Sequence, residues 1–226
     1  MVESNRGHLL PIYVLADESG SMMNHIDDLN DGLRSLHQAL LGEPMAAAKV
    51  RLSVLGFSDD VIERVHLVDL RSANEFPLLR TRGMTSYAAA FEDLITRIPV
   101  DIAGLKAEGY QVHRPAVFFL TDGVPNMGED WYDARRRLTD RTLTLGAPNI
   151  IACGISDADA EIISQVATQP EFGFVANEGV DVGPAIAKFC TALTKSVIAS
   201  GRSLTSASPQ LVVDKPENFT LAIDVI

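Results

Sequence analysis

Leu9 to Ala16 is an apolar run interrupted only by Tyr13, the pattern of a strand covered on both faces in a parallel sheet. Ile26, Leu29, Leu33, Leu36 and Leu40 then recur at steps of three and four. That spacing places one apolar stripe on a helix of about four turns, closed by Gly42 and Pro44. Val50 to Phe57 reads as the next strand, and Ser58-Asp59-Asp60 turns into Val61 to Val68, where Glu63, Arg64 and His66 mark an exposed edge. Tyr87, Phe91, Leu94, Ile95 and Ile98 form a second helical stripe, and Ala116 to Leu120 is a compact buried strand ending at Thr121-Asp122-Gly123.

Beyond it the pattern predicts a polar helix over Asp130 to Thr142, a strand over Asn149 to Cys153, and a helix from about Asp157. A short strand near Phe172 to Val175 and a last helix bearing Val182, Ile186, Phe189, Leu193 and Val197 follow. The alternation predicts an α/β fold: a doubly wound, mostly parallel sheet with one antiparallel edge strand and helices on both faces. Ligands of such sheets bind beyond the carboxyl ends of the strands, so the loops after Ala16 and Leu120 carry the interest. Residues 1–200 read as one domain. Residues 201–226 read as a Ser/Gly/Pro-rich linker and a strand-like tail in which Phe219, Leu221, Ile223 and Val225 alternate with small or polar residues. The tail can dock on its parent domain or augment a partner's sheet, and Asp224 can offer its carboxylate to a neighbouring molecule.

Composition narrows the function. At 46% hydrophobic and 22% charged, the 226 residues suffice for a core. A formal charge of −11 argues against nucleic acid, whose phosphates are bound through Lys and Arg. The run Arg135-Arg136-Arg137, with Asp140 and Arg141 behind it, reads as a solvated helix face. Cys153 and Cys190 fall in segments that read as core, so no disulfide scaffold is expected. The first apolar run is too short and wrongly flanked for a signal peptide or a membrane span, so no membrane association and a cytoplasmic location are expected.

Asp17-Glu18-Ser19-Gly20-Ser21 follows the first strand and offers a carboxylate and two hydroxyls at alternate positions, with Gly20 easing the bend. Asp122 ends the strand before the polar helix, and Gly83-Met84-Thr85-Ser86 brings another hydroxyl to the second helix. Each piece alone is an ordinary turn or helix cap. Together, at loops that the topology gathers, Asp17, Ser19, Ser21, Thr85 and Asp122 form a hard-oxygen set suited to Mg²⁺ or Mn²⁺ and poorly suited to Zn²⁺ or copper.

Asp17-Glu18-Ser19-Gly20-Ser21, Gly83-Met84-Thr85 and Thr121-Asp122-Gly123 resemble the metal-ion-dependent adhesion site of von Willebrand factor A domains, over roughly Leu9 to Ser200. Leu-Pro-Ile-Tyr-Val-Leu-Ala-Asp-Glu-Ser-Gly-Ser-Met and Gly-Met-Thr-Ser look like the bacterial tellurium-resistance TerY-type branch, an intracellular group associated with stress and metal resistance. The resemblance implies that Ser19 and Ser21 ligate directly, that Thr85, Asp17 and Asp122 ligate directly or through water, and that a protein partner supplies an Asp or Glu carboxylate as the last ligand. The chain is then a binding module, not an enzyme.

The competing reading is a Mg²⁺-dependent phosphatase or phosphotransferase resembling the haloacid-dehalogenase superfamily, with Asp17 as nucleophile and Asp157 and Asp159 as a late acidic motif. Ser19 stands where that superfamily needs its second Asp. Phosphate-cradling glycine loops are absent, and Asp-Glu-Ser-Gly-Ser is not a hydrolase elbow. His25 is expected at an exposed position in the first helical turn, and His113 has no acidic orienter.

Overall fold

The computed structural model describes residues 6–72, 78–156, 158–204, 206 and 208–222. One sheet organises them, in the order β3-β2-β1-β5-β6-β7-β8, with β4 paired to the start of β1. Its strands are β1 (His8–Asp17), β2 (Val50–Phe57), β3 (Val61–Val68), β4 (Gln111–Val112), β5 (Ala116–Thr121), β6 (Asn149–Gly154), β7 (Gly173–Ala176) and β8 (Phe219–Leu221). The pairings are parallel from β2 through β1, β5 and β6 to β7, and antiparallel at both ends, β2 with β3 and β7 with β8. The expected edge hairpin is present, and the tail adds a second antiparallel edge.

The period of two along β1 splits the core into two layers. Leu10, Ile12, Val14 and Ala16 pack with Leu29, Leu33, Leu36 and Leu40 of α1 (Ile26–Leu41) and with Ile186, Phe189 and Leu193 of the last helix. Tyr13 and Leu15 face the opposite layer, where Tyr87, Phe91, Leu94 and Ile98 of a long helix pack beside Ala134, Leu138 and Ile163. A four-residue α2 (Pro44–Ala47) precedes β2. That long helix is α3 (Tyr87–Ala107); α4 (Trp131–Thr139), α5 (Ala160–Val166) and α6 (Val182–Ser203) complete the set. By length and composition α6 could cross a membrane, but Ile186, Phe189, Leu193 and Val197 are buried in this core.

Three boundaries shift for local reasons. The helix expected to reach Thr142 ends at Thr139, because Asp140 is extended and its side chain takes the Thr142 N–H in a turn of its own. Helix α5 starts at Ala160, where Asp159 caps the Glu161 and Ile162 N–H groups. Helix α6 runs past residue 200 to Ser203, and the chain then returns along it: Ser200 Oγ accepts from Val212 N (2.8 Å) and Ser196 Oγ from Asp214 N (2.9 Å) before β8 joins β7. Phe219, Thr220 and Leu221 thus dock on the parent sheet; Ile223, Asp224 and Val225 lie outside the described residues.

Two sequence readings need correction. Arg64 is not a solvated edge residue, since its side chain is only 16% exposed and turns inward to Glu18. Arg135 leaves its helix face to bond the carbonyls of Val166 and Ala167 at the end of α5, while Arg136 and Arg137 pair with Asp133 and Glu92 at the surface.

Candidate metal centre

Strand order reverses between β1 and β5: the chain moves outward one way from β1 through β2 and the other way from β5 through β6. A cleft at such a switch point opens at the carboxyl ends of the two strands, here at Asp17 and Thr121. Asp17 is fully buried; its Oδ1 accepts from Ser19 N (2.8 Å) and its Oδ2 from the Thr121 hydroxyl (2.7 Å). The first bond bends the chain after β1 so that Ser19 and Ser21 return over the strand end. Gly20 does this without left-handed backbone; its N–H donates to Gly83 O (3.0 Å), tying the first loop to the second.

Ser19 Oγ and Ser21 Oγ lie 3.0 Å apart, and the Ser21 hydroxyl donates to Asp122 Oδ1 at 2.7 Å. Ser19 therefore donates to Ser21. Four of the five expected side chains, Asp17, Ser19, Ser21 and Asp122, are joined by this chain of bonds through Thr121 and the Ser19 backbone. Thr85 belongs to the second loop: its N–H donates to Asn126 Oδ1 (3.1 Å) and its carbonyl accepts from Asn126 N (2.9 Å), which binds the second loop to the third. Ser19, Thr85 and Asp122 are buried while Ser21 is exposed, so the cluster opens to solvent at Ser21.

Electrostatics agree with the donor geometry. Burial pushes the Asp17 carboxyl up to about 6, with the charge of Asp122 acting the same way and the bonds from Ser19 and Thr121 opposing only in part. Two acidic groups held close and largely dry call for a positive charge between them. Adjacent ligands of an octahedral Mg²⁺ are about 2.9 Å apart, and the two oxygen separations here are 3.0 and 2.7 Å. Among the described residues no three His, Cys, Asp or Glu side chains are grouped to hold a metal, so a cation at this point relies on the hydroxyls. The residues fit a small hard cation.

Sequence reasoning missed the support beneath the loops. Glu18 is fully buried. Its carboxylate accepts from Arg64 Nε and Nη2 (2.9 Å each), Arg82 Nε (2.7 Å) and Arg80 N (2.9 Å). Arg82 also donates to Gly56 O and to Asp60, and its N–H to Glu18 O. Gly56 has to be glycine, because a Cβ there would fall on the Glu18 carboxylate. At Gly83 a Cβ would meet only the exposed Asp59 side chain, whose carboxylate holds the Met84 N–H (3.2 Å). Glu129 accepts from Ser86 Oγ and Tyr87 N (2.8 Å each), and Tyr87, packed among Phe57, Phe91, Phe119 and Trp131, donates to Gly123 O (3.0 Å). An acidic Glu18 between Asp17 and Ser19 and a glycine, Gly56, inside an apolar strand were the available signals; Asn126 offered none.

No protein-family model and no curated protein matches the chain. Solved structures do. Proximal thread matrix protein 1 from the mussel byssus superposes with a TM-score of 0.59 at 18% identity, covering 89% of this chain and 49% of that one. The pilus adhesin SpaC of Lactobacillus rhamnosus GG superposes at 0.65 and 15% identity over 86% of this chain and 30% of the other. A von Willebrand factor type A structure from Catenulispora acidiphila matches over 85% of this chain and 43% of its own, with a TM-score of 0.50 and 12% identity. The fold is of the von Willebrand factor A type. The chain spans about half the length of the mussel protein and less than a third of SpaC. Another structure of the mussel protein, at 17% identity, is described as having a zinc-occupied metal-ion-dependent adhesion motif. In the A-type fold of this chain, the oxygen cluster sits at the switch point between β1 and β5.

Proposed function

We propose that the chain is a metal-dependent protein-binding module. Ser19 and Ser21 ligate a divalent cation, Mg²⁺ or Mn²⁺, directly, and Thr85, Asp17 and Asp122 ligate directly or through water. A bound cation supplies an open coordination position that an Asp or Glu carboxylate of a partner can fill. The observation that carries this reading is the meeting of two buried carboxylates and two hydroxyls from separate segments, with the Ser19–Ser21 and Ser21–Asp122 oxygens at metal-edge spacing and the group open to solvent at Ser21. The zinc-occupied motif of the structurally similar mussel protein supports a divalent cation here, and not the preference for Mg²⁺ or Mn²⁺ over Zn²⁺. The Gly-Met-Thr-Ser and Asp-Glu-Ser-Gly-Ser segments extend the proposal to a tellurium- or stress-resistance complex in the cytoplasm.

The chain's own residues divide the work. Hydroxyl ligands leave the cation's charge only partly neutralised, while Asp17 and Asp122 orient the oxygens around it. Burial of Asp17 excludes water from the inner side, so the partner carboxylate enters past Ser21. The phosphatase alternative places its nucleophile at Asp17, but both Asp17 oxygens face inward to Ser19 N and Thr121, Ser19 occupies the acid/base position, and Asp159 is spent on capping α5; Asp157 lies outside the described residues.

Retention of a partner from cell extract on the immobilised full chain tests the proposal. A protein held in Mg²⁺, released by chelator and not retained by the Ser19→Ala/Ser21→Ala variant supports it. Retention indifferent to chelator and to that variant counts against it, and phosphate release from an aryl phosphate dependent on Asp17 would favour the enzyme instead.

A further inference from the structure

We infer that the loops around the metal point form an apolar recognition rim, and that its occupant is an extended partner segment whose docking carboxylate is flanked by bulky aliphatic or aromatic side chains. This rests on the metal-site reading above. Four large apolar side chains stand in solvent there: Met23 (66% exposed), Met84 (64%), Val124 (52%) and Met127 (fully exposed). Each sits within two residues of the cluster or of its braces. Met23 lies two residues after Ser21, Met84 lies between Gly83 and Thr85, Val124 follows Asp122-Gly123, and Met127 adjoins Asn126. The bonds Gly20 N to Gly83 O, Ser21 Oγ to Asp122 Oδ1 and Asn126 N to Thr85 O hold these loops against one another, so the loops that carry the four exposed side chains meet around the metal point.

Exposed apolar residues scattered singly are ordinary; a group placed on every ligand-bearing loop marks a contact surface. The fold makes the choice visible at Met22-Met23, where one side chain is fully buried and its neighbour is turned out. Methionine is flexible and polarizable, and fits differing apolar partners.

Charge selects the occupant. At a formal −11 the domain repels acidic proteins at long range. A segment that offers a single carboxylate minimises that repulsion, and its affinity has to come from close contact. Apolar neighbours on both sides of the carboxylate cover the rim and dry the metal point, which strengthens the charge interaction inside it. Polar neighbours would leave the methionines in water.

The test uses the full chain with isotope-labelled methionine methyls, loaded with Mg²⁺, and three capped peptides: Ser-Leu-Glu-Leu-Ser, Ser-Ser-Glu-Ser-Ser and Ser-Leu-Gln-Leu-Ser. The first is expected to bind at least about tenfold more tightly than the second, to shift the Met23, Met84 and Met127 methyl signals, and to be released by chelator, while the third does not bind. Replacing the three methionines by Ser should abolish the preference for Leu flanks and leave Mg²⁺ affinity, read by calorimetry, unchanged. Mg²⁺ uptake with equal binding of the two Glu peptides, with no binding of either, or with the preference intact in the triple variant overturns the inference alone. Absence of Mg²⁺ uptake overturns the metal-site reading and the inference together.

Discussion

Asp17 holds its charge at a cost that the rest of the loop does not remove. Its carboxyl is raised from 3.8 to about 6, so in the metal-free protein it contributes stability below its ordinary range that is lost as pH rises through 6. At pH 7.5 the full penalty, on the order of 3 kcal/mol, applies. Asp17→Asn is therefore expected to raise the thermal midpoint of the metal-free protein at that pH while eliminating the further rise on adding Mg²⁺; scanning calorimetry with and without chelator reads both effects. The buried charge of Glu18, by contrast, is matched by Arg64 and Arg82. Glu18→Ala leaves two guanidinium groups partly buried without their shared anion, and urea denaturation should show a loss of about 3–5 kcal/mol. Arg64→Met is milder and should weaken Mg²⁺ binding by about tenfold or more through the loss of loop support. The clustered residues Asp17, Ser19, Ser21 and Asp122 could be picked out from the chain because loop motifs are local in sequence. The Glu18 clamp could not, because Arg64 and Arg82 lie 46 and 64 positions away and an arginine on an edge strand looks solvated until the turn of its side chain is seen.

Elements meet at two places whose chemistry predicts behaviour. At the foot of the sheet, His8 on β1 and His113 after β4 share a ring-nitrogen contact of 2.8 Å, and burial, helped by the nearby His8, holds His113 below its usual range. A base depressed in the folded state contributes stability that is complete above its ordinary titration and is lost as pH falls through the folded value. Urea unfolding of the parent and of His113→Gln should thus differ in pH dependence: on going from pH 7.5 to 5.5 the parent loses the His113 contribution, set against the opposite trend of Asp17, and the variant does not. On the other layer α1 and α6 approach so closely at Gly32 that a Cβ would collide with Cys190. Gly32→Ala is expected to destabilise by about 1–3 kcal/mol, with partial recovery on adding Cys190→Ala. Periodicity made α1, α3 and α6 legible, since five apolar positions at helical spacing outweigh local noise. It failed at the end of α4, where Asp140 captures the Thr142 amide, and at the two-residue β4, too short to carry a period.

For the whole molecule, the reversal of strand order between β1 and β5 turns separate turns into one site, and the sequence showed it through the order of its βα units. What the sequence left open was the tail, because alternation in Phe219 to Val225 suits an edge strand of any sheet. The structure places Phe219–Leu221 on β7, where Phe219 is buried. Removing residues 205–226 should uncover that strand edge, lower the thermal midpoint and promote self-association visible by light scattering. The central claim, that the three loops hold one hard divalent cation, is tested most directly by calorimetric titration of Mg²⁺ into chelator-stripped protein and its Ser19→Ala/Ser21→Ala variant. The account predicts one site per chain, absent in the variant although its circular dichroism is unchanged. Equal heats for the two proteins, or none for either, would contradict it.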